Sequence, residues 1–132
     1  MTDEKYKVLV VEDQAMPRQL FEHFIETSSH FTLAGSIASA AFTEVYCLSR
    51  PINLILMDVI TEGGENGLDE AEKIKKKFPK IKIIIVTSMP ECSYIERAKK
   101  IGIEGFWYKE TNEQPIIELM ESNLSEPLSL LD

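Results

Sequence analysis

LILMD, residues 54–58, is a run of four apolar residues that ends in an acid. A parallel strand that is buried on both faces reads as such a continuous apolar run, and side chains that need solvent follow at its carboxyl end. A second apolar run, residues 8–11 (VLVV), is followed at once by the acidic pair Glu12 and Asp13. The two runs therefore predict two strands of a parallel sheet whose ends carry three carboxylates.

Two further strand-like segments also end in polar side chains. Residues 81–86 (IKIIIV) are followed by Thr87 and Ser88, and residues 105–108 (GFWY) are followed by Lys109. Ligands of parallel α/β sheets bind at the carboxyl ends of the strands. The sequence therefore predicts one candidate active site that contains three acids, two hydroxyls and one ammonium group.

The negative charge of this cluster limits which ligands it can bind and which reactions it can support. Three close carboxylates repel one another unless a cation neutralises them. Mg²⁺ takes oxygen ligands, needs few protein carboxylates and keeps several waters, which leaves positions open for a phosphoryl oxygen. With Mg²⁺ on one side and Lys109 on another, Asp58 would act as a nucleophile toward phosphorus and form an aspartyl-phosphate. The hydroxyls of Thr87 and Ser88 would then meet the phosphoryl oxygens.

The composition fits one globular domain and argues against nucleic-acid binding. A chain of 132 residues, 44% of them hydrophobic, can bury a substantial core. The net charge of -8 argues against direct nucleic-acid binding by this segment, because phosphate neutralisation requires a basic face. The lysines between residues 73 and 82 are interpreted as the solvated end of a helix.

The sequence also indicates the compartment. No apolar stretch reaches the roughly 18 residues that a membrane span requires, and the residues after Met1 do not form a basic signal-peptide region. Cys47 and Cys92 are too few and too isolated for a metal motif. We therefore expect a cytoplasmic protein with reduced structural thiols and no membrane contact.

Strand-like and helix-like patterns alternate along the whole chain. Strands are predicted at residues 5–11, 31–37, 53–58, 81–87 and 104–108, and helices at residues 16–26, 38–48, 68–78, 93–101 and 114–124. Short links between them imply right-handed crossovers. The predicted fold is α/β, a doubly wound five-stranded parallel sheet with helices on both faces.

From residue 8 to about residue 124, the chain resembles the receiver domains of two-component response regulators. The resemblance is carried jointly by residues at four strand ends: Glu12 and Asp13, Asp58, Thr87 with Ser88, and Phe106 with Lys109. It implies a flavodoxin-like (βα)5 fold with strand order 2-1-3-4-5. Because the helical pattern is lost after residue 124, residues 1–124 are predicted to form the receiver domain and residues 125–132 the start of a linker or C-terminal tail.

The resemblance further implies a role for each of these residues. Asp58 would accept a phosphoryl group from a sensor histidine kinase. Magnesium would be organised, directly or through water, by Glu12, Asp13, Asp58 and the main-chain carbonyl of Ile60. Lys109 would pair with the phosphoryl group. The switch pair that responds to it would be Thr87 and Phe106.

Residues 105–111 (GFWYKET) indicate which downstream domain the receiver controls, because this segment resembles the corresponding segment of regulators of the NarL type. Their output is commonly a helix-turn-helix DNA-binding domain, so a C-terminal effector domain that regulates transcription is expected outside this chain. A homodimer formed on phosphorylation is a further expected partner. The segment between Asp58 and Gly67 departs from the family pattern, because it lacks the usual Met-Pro and is one residue longer.

The protein is expected to be a signalling domain and not an enzyme, apart from self-catalysed phosphotransfer and slow autodephosphorylation. Ile60 and Met89 would flank the approach of water to the phosphoryl group and cannot orient it by hydrogen bonds.

Two other classes of protein stay open. A haloacid-dehalogenase-like phosphatase also uses an aspartate nucleophile and magnesium, but it requires a second acid where Ile60 stands. A phosphorylation-independent interaction module would normally have lost an acid or the lysine.

Overall fold

Five parallel strands form the centre of the molecule. In the computed structural model, which describes residues 5–59, 66–87, 92–108 and 115–122, the strands are β1 Tyr6–Val11, β2 Phe31–Ile37, β3 Leu54–Asp58, β4 Lys82–Thr87 and β5 Gly105–Tyr108. Neighbouring strands pair in the order β2-β1-β3-β4-β5, all in parallel. The predicted doubly wound sheet and its strand order are confirmed.

Helices connect the strands as the alternating pattern predicts. They are α1 Ala15–Thr27, α2 Thr43–Ser49, α3 Gly67–Lys77, α4 Cys92–Ile101 and, in the described part of the chain, α5 at residues 116–122. Only α2 begins clearly later than predicted. A 3₁₀ turn, Ala40–Phe42, precedes it, and the side chain of Ser39 accepts a hydrogen bond from Ala41 N at 3.2 Å. The Ser39 hydroxyl thus caps the turn and moves the start of the helical segment past residue 38.

Each face of the sheet carries its own hydrophobic layer. Alternate strand residues such as Leu9, Ile55 and Ile83 pack with residues of α2, α3 and α4. Their neighbours, such as Val10 and Leu56, pack with residues of α1 and α5. Because both faces of these strands are covered, residues 8–11 of β1, all of β3 and residues 83–87 of β4 are buried, which is the reason for the continuous apolar runs.

One residue of the lysine cluster has a structural role. The side chain of Lys75 is only 11% exposed, and its Nζ donates to Pro79 O at 3.2 Å, Ile81 O at 2.9 Å and Glu104 Oε2 at 2.7 Å. Glu104 in turn accepts a hydrogen bond from Ile83 N at 2.9 Å. The interpretation of the whole cluster as solvated is wrong for Lys75, because these acceptors come from segments beyond the helix and enclose its ammonium group.

Cys47 is a buried, free thiol, as expected for a structural cysteine. Burial, followed by the nearby charges of Glu70 and Glu44, raises the pKa of this thiol to about 11. It is therefore almost entirely protonated at neutral pH and a poor nucleophile. The side chain of Cys92 lies outside the described part. None of the helices that the structure describes combines the length and hydrophobicity needed to cross a membrane.

Candidate functional site

Three acids meet at the carboxyl edge of the sheet. One carboxylate oxygen from each of Glu12, Asp13 and Asp58 lies within 4.8 Å of the others. The strands that bring them together, β1 and β3, are adjacent and in register, with Val11 opposite Met57. Glu12 and Asp58 are buried, whereas Asp13 is more accessible to solvent. The structure therefore brings the three predicted acids into one cluster.

The turn that carries Glu12 and Asp13 is held by hydrogen bonds. Glu12 N donates to Ile37 O of β2 at 2.9 Å, and Gln14 N donates to Glu12 Oε2 at 3.2 Å. Arg18 in α1 reaches back, and its Nη1 donates to Glu12 O at 2.9 Å and to Asp13 O at 3.3 Å. Arg18 could not be identified from the sequence, because no local pattern signals that a long side chain turns back to the preceding loop.

Gly67, at the start of α3, packs tightly against the end of β3. Gly67 N donates to Val59 O at 2.5 Å. A Cβ atom built on Gly67 would lie 1.9 Å from the main-chain oxygen of Asp58, so only glycine fits there. Asn66 then caps α3, since its Oδ1 accepts hydrogen bonds from Leu68 N at 2.8 Å and Asp69 N at 3.3 Å. The chain returns directly beside the proposed phosphoacceptor.

The proposed switch residues lie on β4, which pairs with β3, and on β5 at the edge of the sheet. Thr87 ends β4 and is 4% exposed. Phe106 in β5 packs on the layer that includes Ala98 of α4. The adjacent Trp107 points to the other layer, where its ring meets Phe21 edge-on at a centroid distance of 5.9 Å. Phe106 is therefore on the same side of the sheet as α4.

Four residues assigned from the sequence lie outside the described part of the chain: Ile60, Ser88, Met89 and Lys109. Their roles stay predictions.

Ion pairs join the helices on the α2–α4 side of the sheet. Arg97 Nη2 of α4 lies 2.5 Å from Asp69 Oδ1 and 3.1 Å from Glu72 Oε1 of α3. Hydrogen bonding to these carboxylates raises the pKa of Arg97, and the hydrogen bond from Arg97 lowers the pKa of Glu72. A hydrogen bond from Lys77 likewise lowers the pKa of Glu44. These pairs connect neighbouring helices on the surface.

The acid cluster fits a hard divalent cation. Oxygen atoms such as those of carboxylates are the ligands that Mg²⁺ prefers. One oxygen from each of the three acids lies within 4.8 Å of the others, so the three could hold one cation between them. Since Mg²⁺ keeps several waters, an acid can also hold it through water.

Known proteins are similar to this chain in sequence and in fold. Residues 8–121 match the sequence family described as "Response regulator receiver domain". The response regulator protein VraR of Staphylococcus aureus is 30% identical over 112 residues, which cover 85% of this chain and 53% of VraR. The chain thus spans about half the length of the curated relatives that it matches.

Two solved structures are similar in fold. A DNA-binding response regulator of the LuxR family from Staphylococcus aureus aligns with a TM-score of 0.81 and 24% identity, covering 89% of this chain and 98% of that chain. A CheY-like response regulator receiver domain protein from Methanospirillum hungatei JF-1 aligns with a TM-score of 0.85 and 20% identity, covering 96% of this chain and 98% of that chain. Both share the architecture that carries the acid cluster.

Proposed function

This chain belongs to the response regulator receiver domain family of two-component systems, and we propose that it accepts a phosphoryl group on Asp58 from a sensor histidine kinase. The observation that carries the proposal is the meeting of three carboxylates, from Glu12, Asp13 and Asp58, at the carboxyl edge of the sheet. Asp58 is the assigned acceptor because it ends the central strand, with β1 on one side and β4 on the other.

The transfer replaces one bond to phosphorus by another. An Oδ atom of Asp58 forms the new P–O bond while the P–N bond to the donor imidazole breaks. The imidazole keeps the electron pair and takes a proton from water. Bound Mg²⁺, held by Glu12, Asp13, Asp58 and the carbonyl of Ile60, would neutralise the negative charge shared by the acids and the phosphoryl oxygens.

The remaining site residues stabilise the phosphoryl group. We assign a charge-assisted contact to Lys109 and hydrogen bonds to the hydroxyls of Thr87 and Ser88. A phosphoryl group adds about -1.5 to -2 charges and strong acceptor oxygens. Thr87 would move toward these oxygens, and Phe106 would take the space that it leaves. This movement would remodel the face formed by α4, β5 and α5.

The signal would pass to a partner outside this chain. We assign residues 1–124 to the receiver and residues 125–132 to the start of a linker or tail, followed by a C-terminal DNA-binding effector that regulates transcription in the cytoplasm. Support comes from VraR, a response regulator about half of which this chain covers. Dimerisation of the receiver on phosphorylation would bring two effectors together.

We also propose slow self-dephosphorylation. Hydrolysis requires a water aligned opposite the leaving carboxylate, and Ile60 and Met89 offer no polar group to align it.

Phosphorylation of the purified chain tests the acceptor. Incubation with acetyl phosphate and Mg²⁺ should add one phosphoryl group by intact mass, and Asp58→Asn should abolish the added mass because the nucleophilic oxygen pair is lost. The matched control is Asp69→Asn, since Asp69 is an exposed acid of α3 whose partner is Arg97. If the Asp58→Asn variant still gains the mass of a phosphoryl group, the acceptor is another residue.

The same assay separates the three protein classes. A stable adduct indicates a receiver. Rapid release of inorganic phosphate without an adduct indicates a phosphatase. An unchanged mass with no phosphate release indicates an interaction module.

A further inference from the structure

Arg18 binds the backbone of the two acids that follow β1. A single guanidinium nitrogen, Nη1, donates to the carbonyl oxygens of both Glu12, at 2.9 Å, and Asp13, at 3.3 Å. These are two successive peptide units. A donor that holds both of them fixes the direction of the backbone between the two acids.

The other contacts of this turn lie at its two ends. Glu12 N is bound to β2 through Ile37 O, and Glu12 Oε2 accepts from Gln14 N. Asp13 is the more accessible acid of the cluster, so packing orients its side chain less than that of Glu12. The direction of the Asp13 carboxylate therefore depends on the two peptide units that flank Asp13, and Arg18 donates to the carbonyl oxygen of each.

We propose that Arg18 is a positioning residue for the cation site, which holds the Glu12–Asp13 turn so that both carboxylates face Asp58. The inference rests on the proposed function, because it takes Mg²⁺ as the cation. Arg18 acts through the backbone of the acids and needs no contact with the ion.

Removing Arg18 would change the affinity for Mg²⁺ in two opposite directions, which makes the proposal testable. Loss of the two hydrogen bonds frees the turn, so Mg²⁺ has to order it on binding, and affinity falls. Loss of a positive charge near the cluster reduces repulsion of the cation, and affinity rises. A residue that only stabilises the fold would change the unfolding transition and leave Mg²⁺ affinity unchanged or slightly higher.

The test is calorimetric titration of the folded chain with MgCl₂, with thermal unfolding measured in the absence of Mg²⁺. Arg18→Ala should raise the Kd for Mg²⁺ about tenfold, the lower end of the effect of losing a residue that orients metal ligands. Arg18→Lys keeps the charge and can donate to one of the two carbonyls, so its Kd should fall between those of the wild type and Arg18→Ala.

Arg50→Ala is the matched control. Arg50 also donates through Nη1 to a main-chain oxygen, that of Ala34 at 2.9 Å, but it belongs to the segment between α2 and β3. Its removal should lower the unfolding temperature and leave the Kd for Mg²⁺ unchanged.

The outcomes separate the two proposals. Wild-type affinity or tighter binding in Arg18→Ala overturns the role of Arg18 and leaves the proposed function intact. An equal loss of affinity in Arg50→Ala also overturns it, since general destabilisation would then be the cause. If the wild type itself does not bind Mg²⁺ at millimolar concentrations, both proposals fail. Should Arg18→Ala not fold, Arg18→Lys decides, because wild-type affinity in that variant refutes the need for two bonds.

Discussion

At the scale of single residues, Gly67 sets the geometry of the backbone at the proposed phosphoacceptor. The Cα atom of Gly67 packs directly on the main-chain carbonyl of Asp58, and a Cβ atom would come within 2.9 Å of the carbonyl carbon as well. Both neighbours are backbone atoms, which cannot rotate away as a side chain can. Any larger residue must therefore displace the end of β3 or the start of α3.

We expect Gly67→Ala to cost about 1–3 kcal/mol of unfolding free energy, as overpacking in a dense interior does. It should also slow phosphorylation of Asp58, since the backbone that carries the carboxylate has to shift. Urea unfolding and the rate of mass increase with acetyl phosphate measure the two effects.

Gly102→Ala is a useful comparison for this variant. Gly102 has a φ of 94°, so alanine there is strained by its conformation, but the added Cβ meets open space. The variant should lose stability and be phosphorylated at the wild-type rate. Phosphorylation of Gly67→Ala at the wild-type rate would contradict the role given to Gly67.

At the scale of secondary-structure elements, Lys75 and Glu104 join three segments of the chain. Lys75 near the end of α3 binds the main-chain oxygens of Pro79 and Ile81, which lead into β4, and the carboxylate of Glu104, which precedes β5. The other carboxylate oxygen of Glu104 accepts from Ile83 N in β4. The pair is enclosed, with side-chain exposures of 11% and 19%, so water screens it only in part.

Lys75→Met should lower the free energy of unfolding by about 1–3 kcal/mol, because Glu104 and two carbonyls lose their shared donor in a partly buried place. Lys76→Met is the matched control, because Lys76 is 76% exposed and pairs with Glu72 one helical turn away. Its effect should be about 0.5 kcal/mol or less. Urea unfolding of the two variants measures both changes in free energy.

A double variant tests the cause of the loss. Glu104→Gln removes the charge and keeps an oxygen that can accept from Ile83 N. If the unpaired carboxylate causes the loss, Lys75→Met with Glu104→Gln should be more stable than Lys75→Met alone. If the double variant is less stable than Lys75→Met alone, lost packing and not the unpaired carboxylate causes the loss.

At the scale of the whole molecule, the acid cluster and the stability of the fold are linked. Asp58 belongs to β3, and Glu12 and Asp13 belong to the turn between β1 and α1, so the three acids meet only when these elements are in place. The unfolded chain therefore has no preformed cation site. A cation that binds the cluster must stabilise the native state, whatever the later signalling step is.

Mg²⁺ should accordingly raise the unfolding free energy by about 1.4 kcal/mol when its free concentration is about ten times its Kd. The chain carries a net charge of -8, so salt alone also stabilises it by screening. NaCl at the same ionic strength is therefore the reference. Thermal unfolding should show an extra increase with MgCl₂ in the wild type and none in Asp13→Ala. An equal increase in both proteins would exclude the cluster as the binding site.

The sequence by itself determined the sheet, the alternation of strands and helices, and the identity of the three acids. Strands such as Leu54–Asp58 are buried on both faces, so their composition alone marks them as parallel strands, and the acid at the end marks the edge where the site lies. These features depend on residues that are neighbours in the chain. They are therefore visible without the fold.

Only the tertiary structure decided where the long polar side chains bind. Lys75 was interpreted as one of the solvated lysines, and Arg18 was not singled out from the sequence, yet both bind main-chain oxygens. The contact between Gly67 and the backbone of Asp58 was likewise not visible in the sequence, because it depends on how α3 packs against the end of β3. A flexible side chain or a returning loop contacts atoms whose positions are set by the packing of several elements, and no local pattern of residues encodes that packing.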